Sequence, residues 1–196
     1  MLQITPARCD SIPLIHILNE VILHVTNVKQ CNKGVAMPLI FACIAPHAGD
    51  LIPETIADQN IVAPTRKSMY AMGSTLESLK PETVVIINPH GFRVQGVLSV
   101  SVAERATAYW ASDVKLDFEM DPTIANAIAD KATEMNVPVV KYIYGASSGP
   151  ECFVPLDWGA VVPLYFMGHR LTPKPKIGHC SPMRTLPLAT HYEFGR

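Results

Sequence analysis

The chain has 196 residues, 48% hydrophobic and 17% charged, which fits one globular domain with a sizeable core. A net charge of −1, from 16 basic and 17 acidic residues, points away from nucleic-acid or membrane-surface binding, and no apolar run reaches the ~20 residues of a membrane span. Five scattered cysteines (Cys9, Cys31, Cys43, Cys152 and Cys180) without C-x-x-C spacing argue against a disulfide framework or a thiolate zinc site, and for a reducing, cytoplasmic setting.

Residues 1–36 show no strand–helix rhythm. The apolar stretch 11–28 suits a helix or a strand, and it lacks the basic start and small-residue cleavage site of a signal peptide. Met37 reads as a natural domain start. Residues 1–36 are therefore expected to be an extension, or an artefact of start-site assignment, ahead of a domain over 37–196. LIFACIA (39–45) reads as a buried strand. In TRKSMYAMGSTLESL (65–79), Met69, Met72, Leu76 and Leu79 recur at helical spacing, with Thr65 as a candidate cap. TVVIIN (83–88) is the next buried strand, GVLSVSVA (96–103) alternates like a strand, and VKLDFE (114–119) is a further extended stretch. Asp121-Pro122 opens a helix with apolar positions at Ile124, Ala127, Ile128 and Ala132. VPVVKYIY (137–144) is a strand and GASSGPECF a flexible connector. LDWGAVVPLYFMG (156–168) reads as a loop entering a helix that Pro163 interrupts or starts. KPKIGHCS holds a short strand, and ATHYEFGR begins a last helix. The alternation predicts a single α/β domain with a mostly parallel or mixed central sheet flanked by helices.

Two phrases stand out. APHAGD (45–50) and NPHG (88–91) each place a Pro-His step just past the end of a strand-like apolar run. In open α/β sheets, ligands collect outside the carboxyl ends of the strands. His47 and His90 are thus the leading candidates for a metal site or an acid–base pair, against the alternative of two loop histidines that cap strand or helix ends. Pro46 and Pro89 stiffen these turns, and Gly49 and Gly91 leave out side chains that would crowd a ligand. GASSGPE (145–151) lacks the GK[ST] ending of a phosphate loop and reads better as a mobile loop near the pocket mouth. No G-x-S-x-G elbow marks a nucleophilic serine.

PHAGDLIPE (46–54), KPETVVIINPHG (80–91), NVPVVK (136–141), LDWGAVVPLYF (156–166) and RTLPLATHYEFGR (184–196) together resemble the B-subunit family of class III extradiol ring-cleavage dioxygenases. The resemblance runs in family order from about residue 37 to the end. It implies a phosphorylase/hydrolase-like α/β fold and a non-haem Fe(II) centre held by His47 and His90. A carboxylate or histidine nearer the C-terminus is the third ligand in that family. It also implies a catecholic or related aromatic substrate, cleaved with O2 next to a hydroxyl while a histidine acts as acid–base catalyst.

Two departures qualify this expectation. The family's catalytic histidine lies in an Asp-His-Gly phrase, which here is Asp157-Trp158-Gly159. An indole is only a donor and cannot move a proton at neutral pH. The segment that brings the third ligand has no counterpart, so the domain is expected to be incomplete at its C-terminus. Either a partner subunit or the missing tail would complete the site, and the expected assembly is a homo-oligomer or a complex with a partner subunit. Within the chain, Asp50, Glu54 and Asp157 are the carboxylates to weigh as third ligands, against capping and surface roles for Asp50 and Glu54. Asp157 would orient a ligand histidine or cap the following helix. Trp158 would narrow the pocket or stack on an aromatic ligand, or be an ordinary packing residue. His169, His179 and His191 read as surface or capping histidines, with His179 able to approach the same sheet edge; His16 and His24 carry no assigned function. Three readings follow: an Fe(II) dioxygenase, a catalytically silent or repurposed binding member of the same fold, and a Zn(II)-dependent hydrolase.

Overall fold

The computed structural model describes residues 21–26, 39–56, 58, 60–110 and 114–196. Strand β1, Val21–Thr26, comes first, followed by β2, Leu39–Ala45, and the helix α1, Ala63–Leu79. Strand β3 covers Thr83–Ile87, β4 Leu98–Ser101, β5 Arg105–Trp110 and β6 Val114–Glu119. Helix α2, Pro122–Glu134, precedes β7, Val139–Tyr142, β8, Tyr144–Gly145, and β9, Cys152–Pro155. Helix α3, Trp158–Leu164, runs on into a widened i→i+5 turn, Tyr165–His169. Strand β10, Lys176–Ser181, and helix α4, Leu188–Gly195, close the order. None of the described helices is long and apolar enough to cross a membrane.

The strands form two sheets, so the α/β class is as expected while the sheet is divided. One is mixed, in the order β2-β1-β3-β10-β4-β7, and the other is β6-β5-β9-β8. In the larger sheet, β10 runs parallel to β3 and β7 parallel to β4, while β1 is antiparallel to both β2 and β3. Part of the stretch read as an extension thus supplies a strand; His24 lies on it, whereas Cys9, His16 and Cys31 fall outside the described residues.

The register explains where function can sit. Ile22 pairs with Ile44 on one side and Ile87 on the other, so β2 and β3 end level at the same edge. Cys180 pairs with Ile87, which brings the end of β10 there too. Side chains alternate along a strand. Val84 and Ile86 therefore join the main core with α1, α3 and the smaller sheet, while Val85 faces α2 with Val100, Ile124, Ala125, Ala129 and Cys180.

Several local expectations are corrected. Helix α1 starts two residues early, at Ala63, because Pro64 suits the first turn; Thr65 is inside the helix and caps nothing. Asp121 does cap α2, accepting from the Ile124 amide at 3.0 Å, but the buried stripe is Ile124, Ala125, Ala129 and Ala132 with Ala127 exposed. LSVS in β4 is buried on both faces instead of alternating: Val100 packs with Ile124 and Ala125 of α2 and Leu98 with Ala132, while on the other face the Ser99 hydroxyl donates to the Phe92 carbonyl. Strands β5 and β9 were not expected. The connector 145–153 is a hairpin, closed by Ala146 N–H donating to the Glu151 carbonyl at 3.0 Å. Pro163 lies within α3, and the chain from Gly159 to Gly168 is buried throughout, so Leu164, Phe166 and Met167 each contribute roughly 1.5–3 kcal/mol of burial.

Candidate metal centre

Beyond β2 and β3 the chain makes its two Pro-His turns, and both imidazoles point into the same space. His47 Nε2 and His90 Nε2 are 3.1 Å apart, with the rings edge to face at 5.1 Å between centroids. Both side chains are half-buried. Burial lowers the pKa of each, and the Asp157 carboxylate partly offsets it; at His90 the Arg93 and Arg184 charges lower it further. Both histidines are thus held in the neutral form that ligates metals.

The residue before Pro89 organises the surroundings. Asn88 is fully buried, its Oδ1 accepts from the His90 amide at 3.0 Å, and its Nδ2 donates to Asp157 Oδ2 at 2.8 Å. The same Nδ2 lies 3.2 Å from His179 Nε2. Because the amide can only donate there, His179 Nε2 is bare, and its Nδ1–H donates to the Tyr142 hydroxyl at 3.0 Å. Burial lowers the His179 pKa to about 4, against the opposing pull of Asp157, so this imidazole is neutral and both its nitrogens are engaged. His179 is a buried member of the network, not the surface or capping histidine expected. Burial likewise pushes the Tyr142 hydroxyl well above its ordinary range.

Of the two roles weighed for it, Asp157 takes the helix cap, and its second oxygen bonds an asparagine rather than a histidine. Its Oδ1 accepts from the Gly159 amide at 2.8 Å, capping α3, while its Oδ2 holds Asn88. Trp158, the first residue of α3, lies against His90 with ring centroids 4.4 Å apart and remains 43% exposed. It covers one face of the imidazole and leaves the indole open to solvent.

The glycines make room for this chain's own side chains rather than for a ligand. A Cβ on Gly49 would sit 3.0 Å from the Trp110 ring, and one on Gly91 would overlap Ser181 Oγ and crowd the His179 ring. Asp50 and Glu54 do not join the two histidines. The Asp50 carbonyl accepts from Arg66 at 3.0 Å, and the Glu54 carboxylate accepts from the Tyr165 hydroxyl at 2.9 Å and 3.1 Å. His169 and His191 lie elsewhere, on the widened turn and on α4. Among the described residues no group of three His, Cys, Asp or Glu side chains gathers to hold an ion.

Do the two histidines fit a metal? Two imidazole nitrogens bound to one ion at right angles, at ~2.1 Å, lie about 3.0 Å apart. The observed 3.1 Å fits a shared ion. Without one, a proton must bridge the pair. Arg93 Nη2 sits 3.4 Å from His90 Nδ1 and can only donate, so His90 carries its proton on Nε2 and gives it to His47. A metal bound at His90 Nε2 would leave the imidazole proton on Nδ1, where it would face the Arg93 side chain, itself only a donor.

Sequence reasoning missed Asn88 and underrated His179. The available signals were an amide directly before the Pro-His turn and a histidine inside a buried strand.

Two histidines thus meet at the carboxyl edge of an α/β sheet, where two imidazole nitrogens could share one ion. The family described as the catalytic LigB subunit of aromatic ring-opening dioxygenases matches residues 42–196, and the chain belongs to that family. It is also similar to the protein CA_C1420 of Clostridium acetobutylicum, at 23% identity over 129 residues. That alignment covers 63% of this chain and 28% of the Clostridium protein, so the chain spans well under half of that relative's length.

Proposed function

We propose that this chain is a non-haem Fe(II) extradiol-type dioxygenase that opens a catecholic or related aromatic ring with O2, using His47 and His90 as iron ligands. The observation that carries the reading is the 3.1 Å approach of the two Nε2 atoms at the level ends of β2 and β3. Family membership supplies the reaction class. Bound iron supplies the electron exchange between an aromatic diol and dioxygen that opens the ring.

The chain's own residues hold and orient the ligands. Asn88 fixes the His90 backbone, and Asp157 anchors Asn88 while its negative charge favours positive charge at both imidazoles. Trp158 confines one side of the site and offers an indole face to a flat ring. It cannot serve as acid–base catalyst. His179 does not replace it, because both its nitrogens are engaged.

Anaerobic metal analysis of the wild type beside the His47→Ala, His90→Ala and double variants tests the site. Stoichiometric iron that disappears in the variants is the expected result. Full iron loading in the double variant overturns the assignment. Zinc in place of iron after anaerobic purification favours a hydrolase.

Trp158 favours a second reading, a silent or repurposed member that binds an aromatic ligand without turning it over. Catechol turnover by the wild type rejects that reading. Turnover acquired only by Trp158→His supports it.

A further inference from the structure

Away from the histidine pair, a cleft of about 500 Å³ opens between Glu54, Val114, Lys115, Tyr165, His169 and Arg170. Its size suits a small molecule. Neither His47, His90 nor Trp158 lines it.

Its charge is unbalanced. The two oxygens of Glu54 accept from the Tyr165 hydroxyl, whose pKa is pushed up to about 12 by burial and by that carboxylate. Among the described residues the cations have no such partner. Arg170 lies 5.3 Å over the Tyr70 ring and 6.0 Å over the Tyr165 ring, and Lys115 lies 5.7 Å over Tyr109. None of the ion pairs among the described residues includes either cation. A guanidinium stacked on aromatic faces keeps its in-plane N–H fork available for a planar oxyanion. Among the described residues His169 Nδ1 is buried without a hydrogen-bond partner, and its ring lies nearly parallel to Tyr165 at 6.4 Å. The i→i+5 turn adds a residue to the helical repeat between Tyr165 and Arg170, and such turns concentrate at functional sites.

We propose that this cleft is a second binding site, which takes the carboxylate or phosphate group of a small organic molecule on Arg170 and Lys115. The Tyr165 and His169 rings form its wall. The site is independent of the histidine pair and of the chemistry proposed there.

Calorimetric titration of the full chain with sodium benzoate, and separately with inorganic phosphate, tests it. Saturable binding of at least one anion is expected, and the preferred anion identifies the ligand group. Arg170 and Lys115 are exposed, so Arg170→Gln and Lys115→Gln should fold, and each should weaken binding roughly tenfold or more. The His47→Ala/His90→Ala protein should bind as the wild type does. The proposal is overturned by no saturable binding of either anion up to about 10 mM. Unchanged affinity in Arg170→Gln overturns it too, as does loss of binding in the double histidine variant, which would place the anion at the histidine pair.

Discussion

Acid should destabilise this fold through one histidine. His179 is buried on β10 and neutral, with Nε2 accepting from Asn88 and Nδ1 donating to Tyr142. Its pKa is about 4 in the folded chain, against an ordinary value near 6.5 in the unfolded one. Between those values the unfolded chain takes up a proton that the native chain refuses. Stability is therefore complete above pH 6.5 and falls as pH drops toward 4. Integrating that difference from pH 7.5 to pH 5 gives a loss of ~2 kcal/mol from this residue alone. The assay is urea unfolding at both pH values for the wild type and for His179→Gln. A glutamine can accept from Asn88 and donate to Tyr142 but cannot titrate. The other described histidines with lowered pKa, His47, His90 and His169, are common to both proteins and cancel in the difference. The wild type should lose ~2 kcal/mol more than the variant. Equal losses would mean that His179 is not the buried neutral group described, and the reasoning fails.

The other predictions concern the second Pro-His turn. Arg93→Gln should raise metal affinity roughly tenfold, because a glutamine carbonyl can accept the Nδ1–H that metal-bound His90 presents and arginine cannot; competition against a chelator measures this. Unchanged or weaker binding would contradict the tautomer assignment. Gly91→Ala should cost about 1–3 kcal/mol in urea unfolding, since its methyl overlaps Ser181 Oγ and the His179 ring, and a neutral effect would show that the β3–β10 edge is looser than described.

Much of the fold is legible in the sequence, for a physical reason. TVVII is a buried strand because its unbroken apolar run has too little polar surface to be anything else. LIFACIA forms the expected strand but is not buried as expected: at the edge of the larger sheet it leaves Leu39 and Ile44 exposed, and only Ala45 is buried. Asp121 and Asp157 announce helix starts because an N-cap is a local interaction. Strands β5 and β9 were not legible. RATAYW is short and half-polar, and CFVP follows a glycine-rich turn, so each is stabilised by its partner in the smaller sheet rather than by its own pattern. The buried stripe of α2 was misplaced by one position because alanines at 125, 127, 129 and 132 read alike until a sheet covers one side.

The site divides in the same way. Local sequence determined that two histidines follow two strands behind stiff prolines, and that an aspartate caps the helix at Trp158. Only the tertiary structure decided that β2 and β3 end level, that the two Nε2 atoms meet at 3.1 Å, and that Asn88 and His179 stand behind them. Register between strands distant in sequence depends on hydrogen bonds and packing that no local window contains. The same cause hid the role of the glycines. Gly49 and Gly91 are turn residues in the sequence, and only the folded chain places Trp110 against one and His179 against the other.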